Sequence, residues 1–370
     1  MQKIYFDNAA TTPLSKDVAD IMHRANLELF GNPSSIHSFG RHARASVEMA
    51  RKNIASVINA QSNEIIFTSG GTEANNTVFH TAINDLNIER IVTSQIEHNA
   101  VLNPLLKLDE NIQVEYVSLK NNGDIDLEHL KKILSKSSKT LVTLMHVNNE
   151  IGNILPLQEV ASICKKNNAF FHSDTVQSIA YFDLDVKKLQ IDFLSCSAHK
   201  FHGPKGVGFL YANEKLNLTG YILGGNQEKG LRGGTENTVG IIGLEKALLY
   251  SKRNEGFRKL SELKDHLINE LKENNFDYSI NGSLNSSPSI LNVSFKTKRD
   301  VSMLLFNLDL EGIAISGGSA CTSGSNKGSH VLKRIGSSME YPAIRISFST
   351  LNNKKEINQL IAILKKLLHK

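Results

Sequence analysis

The feature that most constrains the fold is a regular alternation of short apolar runs and helical segments, which begins near residue 64. The runs are rich in β-branched residues and read EIIFTS, RIVTS, QVEYVSL, TLVTLMHV, AFFHSD, DFLSCS and GVGFLYA. This alternation predicts an α/β fold with a mostly parallel sheet covered by helices. Because functional loops of such sheets follow the carboxyl ends of the strands, we expect the chemistry in the polar residues after each run.

The segments that flank this alternation predict a two-domain organisation. Two stretches with helical spacing, VADIMHRANLELF and RHARASVEMARKNIASVI, precede it and are separated by the loop-like GNPSSIHSFG. After about residue 240, an amphipathic helix is predicted from the spacing of Phe257, Leu260, Leu263, Leu267 and Leu271. The strand-like runs SILNVSF and AIRISFS and a final helix follow it. We therefore predict a large domain over 16–245 and a smaller α+β domain formed by 1–15 and 246–370.

Composition argues against several classes of protein. The 42 basic and 37 acidic side chains give a net charge of +5, and the densest basic run, 296–299, has four residues. Since nucleic-acid binding requires a clustered basic face, we do not expect it. No apolar run reaches the roughly 18 to 20 residues of a membrane helix. The start of the chain lacks the charge and apolar pattern of a signal peptide, which predicts a cytoplasmic location.

The cysteines and histidines do not form a recognisable metal or disulfide pattern. Cys164, Cys196 and Cys321 are too few and too unevenly spaced for a disulfide framework or a zinc cluster. His199 and His202 lack a third ligand at a suggestive spacing, so no metal site is expected. Cys196 lies within an apolar run and Cys164 in a helical pattern, and both are interpreted as packing residues.

One strand end carries a glycine-rich turn that could bind an anion. The run EIIFTS continues into Gly70, Gly71, Thr72 and Glu73 and then into a helical stretch. Free backbone N–H groups at such a helix start, together with a threonine hydroxyl, can hold a phosphate. When this stretch is considered alone, an ordinary glycine turn with a helix cap is the commoner explanation.

Two further strand ends carry a carboxylate and an amine. Asp174 ends AFFHSD, where it could also serve as a helix cap, and Gln177 follows three residues later. Lys200 follows DFLSCS, where partial desolvation would make its amine a Schiff-base nucleophile, although an isolated lysine near a turn is more often a surface residue. A phosphate cradle, a carboxylate and a lysine in this order are the groups that a pyridoxal phosphate enzyme needs.

These residues lie in motifs that resemble one family. The motifs are DNAATTP (7–13), FGNPSSIH (30–37), TSGGTEANN (68–76), EHNAV (97–101), HVNNEIG (146–152), SCSAHKFHGPKGVG (195–208), RGGTEN (232–237) and SGGSACTSGS (316–325). From about residue 3 to 350 the chain resembles the cysteine desulfurases of the NifS and IscS type. These are fold-type I, aspartate aminotransferase-like enzymes that depend on pyridoxal 5'-phosphate.

The resemblance implies a set of cofactor-binding residues. Lys200 would form the internal aldimine and shuttle protons, and Asp174 would pair with the protonated pyridine nitrogen. His98 would stack on the ring and take part in acid–base steps, although a histidine between a strand and a helix is more often a structural cap. The remaining cofactor contacts implied are Gln177 and Asn148 to the phenolic oxygen, and Gly71, Thr72, Ser197, His199 and a neighbouring subunit's Thr235 to the phosphate.

The resemblance also implies the substrate site and the reaction. Arg345 would bind the substrate carboxylate with two parallel donors, beside Asn32 and Asn148. Cys321 would accept sulfur as a persulfide while L-cysteine becomes L-alanine, although a cysteine in a glycine-serine loop is by itself more often an incidental thiol. A homodimer with shared active sites and a sulfur-acceptor or iron–sulfur scaffold protein are the expected partners. Selenocysteine lyase, aminotransferase and a catalytically silent scaffold remain the alternatives.

Overall fold

A seven-stranded sheet forms the centre of the computed structural model, which describes residues 3–136, 138–251, 253–297, 303–317, 328–337 and 341–368. Its strands are β2 (Ile65–Thr68), β3 (Arg90–Thr93), β4 (Gln113–Tyr116), β5 (Thr140–Thr143), β6 (Phe170–Asp174), β7 (Phe193–Ser197) and β8 (Gly208–Ala212). The order is β2-β8-β7-β6-β5-β3-β4, in which β8 is antiparallel to both neighbours and the other pairs are parallel. The predicted mostly parallel sheet is confirmed.

Both faces of this sheet are buried, which explains why its strands are nearly continuous apolar runs. Adjacent residues of one strand enter different core clusters, as do Ile91 and Val92 of β3 and Leu141 and Val142 of β5. The covering helices between strands are α3 (Gly71–Asn84), α4 (Asn99–Leu105), α5 (Leu127–Leu134), α6 (Leu157–Lys166) and α7 (Val186–Leu189). Three further helices are α1 (Lys16–Glu28), α2 (Ser38–Val57) and α8 (Thr238–Leu249), and they pack on the core cluster that contains Val92 and Val142.

A second core is formed by the C-terminal part of the chain and the first strand. Its sheets are the parallel pair β1 (Ile4–Tyr5) and β11 (Ile313–Ala314), and the antiparallel β9 (Tyr278–Ile280), β10 (Ile290–Phe295) and β12 (Ala343–Ser347). Its helices are α9 (Arg253–Glu273), α10 (Leu304–Leu310) and α12 (Lys354–Leu368), whereas α11 (His330–Arg334) packs in a separate small cluster with Ile96 and Ile151. The four leucines predicted on one face of α9 are all buried in this core, which confirms the amphipathic helix. Phe257 differs, since it is 36% exposed and contacts Phe182 edge to face.

Two of the three cysteines lie in the packed interior. Cys164 on α6 and Cys196 on β7 are free and buried within the same core cluster. Their interpretation as packing residues is therefore confirmed. In the described part of the chain, no helix is both long and apolar enough to cross a membrane.

Candidate active site

A cavity of about 300 Å³ opens where parallel strands of the central sheet end, at the edge that the sequence predicted. It is lined by nine of the predicted site residues, which are Gly71, Thr72, His98, Asp174, Gln177, Ser197, His199, Lys200 and Arg345. These residues come from five separate segments, which are the chain after β2 and β3, the ends of β6 and β7 with the residues that follow, and the middle of β12. The fold therefore assembles most of the predicted set in one place.

The glycine turn after β2 forms one wall of the cavity. Gly70 has a φ of +151°, a backbone conformation that favours glycine. A Cβ atom at Gly71 would lie 2.7 Å from a methyl carbon of Val176, so a larger residue would disturb this wall. The first N–H groups of α3 have no intrahelical acceptor, and they lie beside Thr72 and Ser197. These are the donors that an anion requires.

His199 adds a neutral ring to this wall. Burial lowers its pKa to about 4, and the nearby charges of Lys200 and Lys205 act in the same direction. The Nδ1 atom lies 3.1 Å from the Thr11 hydroxyl oxygen. When that hydroxyl donates to Nδ1, the ring carries its proton on Nε2, which is then available to donate to an anion.

Lys200 is held by the N-terminal segment of the chain. It ends a short 3₁₀ turn after β7, and its Nζ atom donates to the carbonyl oxygens of Ala9 at 2.7 Å and Ala10 at 2.8 Å. Thr12 fixes the same two segments together, since its hydroxyl donates to the carbonyl oxygen of His199. The DNAATTP motif thus contributes carbonyl acceptors to the cavity, a role that sequence analysis did not find.

The Asp174 carboxylate is buried at the end of β6 and held at both oxygens. Oδ1 accepts from the Val176 N–H at 3.0 Å, and Oδ2 accepts from the Asn75 side chain at 2.8 Å. The predicted alternative of a helix cap does not apply, because a turn rather than a helix follows β6. The carboxylate is among the cavity-lining groups and can pair with a cation there.

His98 combines the two roles that the sequence left open. It is the N-cap of α4, where its Nδ1 atom accepts from the Ala100 N–H at 3.1 Å, and it also lines the cavity. Burial lowers its pKa, Asp174 opposes this effect, and the charges of Lys200 and His330 lower the pKa further. The neutral form, with Nδ1 as acceptor, carries its proton on Nε2.

A second carboxyl group lies buried behind this wall. Glu97 is 1% exposed, its Oε1 lies 2.6 Å from the Ser94 hydroxyl, and its Oε2 accepts from the Met145 N–H. Desolvation raises the pKa of Glu97 to about 8, and the nearby charge of Asp174 adds to the increase. Of these two neighbouring carboxyls, Glu97 therefore carries the proton at neutral pH.

Arg345 on β12 brings a buried positive charge to the cavity. Its Nη2 atom donates to Asp7 Oδ1 at 2.7 Å, and Nη1 donates to the carbonyl oxygen of Asn149 at 3.0 Å. The residue is 2% exposed, and its Nε atom has no hydrogen-bond partner in the described part of the chain. Arg345 lines the cavity, where its positive charge suits a ligand that carries a carboxylate.

The two asparagines of the HVNNEIG motif have different environments. The Asn148 amide donates to the carbonyl oxygen of Ile96, and its carbonyl accepts from the N–H groups of Glu150 and Ile151. This carboxamide closes the turn and does not line the cavity, whereas Asn149 does. Gln177 lines the cavity as predicted, and its Nε2 atom donates to the carbonyl oxygen of Ala9.

Besides Asn148, three predicted residues are not brought to the cavity by the described chain. Asn32 is exposed and accepts from the Ser34 N–H, and Thr235 is exposed in the segment before α8. Cys321 lies outside the described residues. The roles of these three residues remain predictions.

The cavity also contains residues that the sequence analysis did not identify. They are Asn75, Asn149, Glu150 and His330. Glu150 is 1% exposed and accepts from the Ser329 hydroxyl at 2.5 Å, while His330 Nε2 lies 3.0 Å from the carbonyl oxygen of Glu97. Their place in the TSGGTEANN and HVNNEIG motifs was the available signal for the two asparagines and Glu150.

The fold and the cavity define an α/β enzyme of the fold-type I, aspartate aminotransferase-like class. Residues 4–360 match the Aminotransferase class-V family, and the chain belongs to this family. The resemblance to cysteine desulfurases of the NifS and IscS type is confirmed by the relatives that follow.

Among the relatives, Cysteine desulfurase IscS of Dictyoglomus turgidum is 42% identical over 100% of this chain and 95% of its own length. Putative cysteine desulfurase IscS 1 of Bacillus subtilis is 41% identical, with 96% of each chain covered. A solved NifS-like protein superposes with a TM-score of 0.91 at 34% identity over 99% of both chains. The structure of SspA in complex with cysteine superposes with a TM-score of 0.84 at 34% identity, and covers 94% of this chain and 99% of that one.

Proposed function

We propose that the chain is a cysteine desulfurase, which converts L-cysteine to L-alanine and takes up the sulfur as a persulfide on Cys321. The observation that carries this proposal is the convergence of Lys200, Asp174 and Arg345 on one cavity. The chain in which they converge is similar throughout its length to proteins named cysteine desulfurase. One relative of solved structure is described in complex with cysteine.

Pyridoxal 5'-phosphate is the cofactor that the cavity residues fit. The glycine wall and the donors Thr72, Ser197 and His199 suit its phosphate, and the Asp174 carboxylate suits a protonated pyridine nitrogen. The Lys200 amine suits its aldehyde. When bound, the cofactor supplies an electron sink that makes the substrate Cα–H acidic. Thr235 of a neighbouring subunit is proposed as a further phosphate donor.

The substrate is held by its carboxylate. Arg345 has a buried Nε donor without a partner in the described chain, and its guanidinium orientation is fixed by Asp7. We propose Asn149 as the polar neighbour of this carboxylate, because Asn149 lines the cavity and Asn148 does not. Asn32 stays a proposed contact of the substrate, although it does not line the cavity of its own chain.

Two side chains are placed to move protons. Lys200 takes a proton from the substrate Cα and returns one to the product. His98 is buried and neutral at neutral pH, so its ring can pack against a flat aromatic group and donate through Nε2. The carbonyl oxygens of Ala9 and Ala10 accept from the Lys200 amine and would hold it in the cavity while it is not bound to the cofactor.

Sulfur transfer requires the Cys321 thiolate. It attacks the substrate sulfur, so that an S–S bond forms while the substrate Cβ–S bond breaks. The electron pair of the broken bond stays with the substrate, which becomes alanine after it takes up a proton. Cys321 is oxidised to a persulfide, and the substrate carbon is reduced, so no further oxidant is needed.

The proposal extends to the assembly and its partners. Four apolar side chains are exposed on α1, α2 and the loop between them, and they are Leu27, Phe30, Ile36 and Phe39. The rings of Phe30 and Phe39 are in contact, with centroids 5.0 Å apart. Exposed apolar side chains of this kind suit burial by a second copy of the chain in a homodimer with shared active sites. Three further predictions from the sequence are kept as proposals. They are a sulfur-acceptor or iron–sulfur scaffold protein as partner, a cytoplasmic location, and the division into a large domain over 16–245 and a smaller domain formed by 1–15 and 246–370.

The test of this function is the variant Cys321→Ala. It should bind pyridoxal phosphate like the wild type yet release no sulfide and form no alanine from cysteine. Cys164→Ala, which removes a buried thiol remote from the cavity, is the matched control and should keep both activities. Full activity of Cys321→Ala on cysteine would remove the desulfurase assignment, and activity on selenocysteine alone would favour a lyase for that substrate.

A further inference from the structure

Asn75 is a fully buried amide on the first turns of α3, and the proposed function gives it no role. It is 0% exposed and lines the cavity beside Asp174. Its Nδ2 atom donates to Asp174 Oδ2 at 2.8 Å. The carbonyl oxygen Oδ1 is also buried, and it has no hydrogen-bond partner among the described residues.

The orientation of this amide is determined by the carboxylate. If the two ends of the amide were exchanged, its oxygen would face the carboxylate oxygen and repel it. Leaving a buried carbonyl oxygen without a partner is unfavourable, so the orientation is maintained by the bond to the charged carboxylate. A group that only filled space at this position would not need an amide.

The Asp174 carboxylate thus has one fixed donor at each oxygen. Val176 N–H occupies Oδ1 and Asn75 occupies Oδ2. Because both oxygens are held, the carboxylate keeps one orientation toward the cavity that it lines.

We infer that Asn75 is a positioning residue, which keeps the Asp174 carboxylate oriented toward the cavity. This inference rests on the proposed function, because it concerns the carboxylate that would pair with the pyridine nitrogen of pyridoxal phosphate. Asn75 acts through Asp174, so its effect on the cofactor must depend on that side chain.

The experiment is a double-mutant cycle that measures pyridoxal phosphate affinity. Asn75→Leu keeps the branched shape and the number of heavy atoms of the side chain and removes the donor, and it should weaken cofactor binding by about tenfold. In the Asp174→Ala background the same substitution should change the affinity by less than about twofold. Asn84→Ala is the matched control on the same helix, because Asn84 is exposed and its side chain donates to the His80 carbonyl oxygen one turn away.

A spectroscopic readout separates this role from packing. In Asn75→Leu, the pH midpoint of the absorbance change of the bound chromophore should move upward. The reason is that a pyridine nitrogen that holds its proton less firmly withdraws less electron density from the Lys200 nitrogen. Asn75→Ser, a smaller change that retains a hydroxyl donor, should lie between the wild type and the leucine variant.

Three results would overturn the inference. Asn75→Leu could bind the cofactor as tightly as the wild type, it could weaken binding equally with and without Asp174, or it could leave the chromophore midpoint unchanged. Failure of the wild-type chain to bind pyridoxal phosphate at all would instead remove the proposed function, and the Asn75 inference with it.

Discussion

At the scale of single residues, the cavity wall is a set of polar groups whose charge states are fixed by their surroundings. Asp174 has donors at both oxygens, whereas Glu97 is buried without a cation in contact among the described residues. His199 and His98 are kept neutral mainly by burial. Of these two carboxyl groups, only that of Asp174 lines the cavity and can pair with a bound cation.

Glu97 gives a testable dependence of stability on pH. Its pKa of about 8 in the folded protein exceeds the unfolded value of 4.5, so the folded state holds a proton that the unfolded state has lost. The contribution of this proton to the free energy of unfolding is fully present below pH 4.5, the pKa of the unfolded state. It is lost as the pH rises toward 8, the pKa of the folded state. Urea unfolding should show the loss as up to about 1.4 kcal/mol per pH unit in that window.

The variant Glu97→Gln mimics the protonated side chain and should remove this part of the pH dependence. Between pH 6 and 8 its free energy of unfolding should fall less than that of the wild type. Glu110→Gln, at an exposed position, is the control and should follow the wild type. An identical pH dependence in Glu97→Gln and the wild type would show that Glu97 is ionised.

Sequence reasoning was most successful at residues that end strands. Lys200 and Asp174 follow apolar runs directly, so their meeting at one sheet edge could be derived from the order of residues alone. Which of Asn148 and Asn149 lines the cavity could not be derived in this way. It depends on the hydrogen bond from the Asn148 carboxamide to Ile96, which is a contact between distant segments. The carbonyl acceptors of Ala9 and Ala10 were missed because backbone groups leave no side-chain signal.

At the scale of elements, a buried ion pair connects α2, β2 and the segment before α8. Arg51 on α2 donates two hydrogen bonds to Glu228, at 2.6 Å and 2.8 Å, and Glu228 also accepts from the Phe67 N–H of β2. Glu228 lies in the left-handed region with a φ of 46°, so the turn is strained at this residue. Sequence patterns predicted the helices and strands here but not this connection, since its partners are 177 positions apart.

Loss of one member of this pair should be costly. Glu228→Ala leaves the buried Arg51 guanidinium with only the half-exposed Glu48 carboxylate, and the free energy of unfolding should fall by about 3–5 kcal/mol in urea titrations. Glu48→Gln removes the exposed partner of the same arginine and should cost less than about 1 kcal/mol. Equal losses in the two variants would contradict the structural role assigned to Glu228.

At the scale of the whole molecule, the proposal requires two chains per pair of active sites. The exposed apolar side chains of Leu27, Phe30, Ile36 and Phe39 and the exposed Thr235 both suit a second copy. The sequence predicted this assembly through its resemblance to a family, since no periodicity within one chain can reveal it. Asn32 does not line the cavity of its own chain, so its proposed contact with the substrate would require the second chain.

Hybrid dimers test the shared site directly. A chain with Lys200→Ala is inactive, and a chain with Thr235→Ala should bind the cofactor weakly. When the two are refolded together, each hybrid contains one site with intact Lys200 and an intact Thr235 from its partner. The hybrid should therefore recover about half of the wild-type activity, whereas Lys200 and Thr235 acting within one chain would give no recovery.

The most direct measurement of the central claim is peptide mass spectrometry of the holoenzyme after brief incubation with L-cysteine. The account predicts one additional sulfur atom on the peptide that contains Cys321, with alanine formed in the same reaction and with none on the peptides of Cys164 and Cys196. Alanine formation without sulfur on the Cys321 peptide would contradict it.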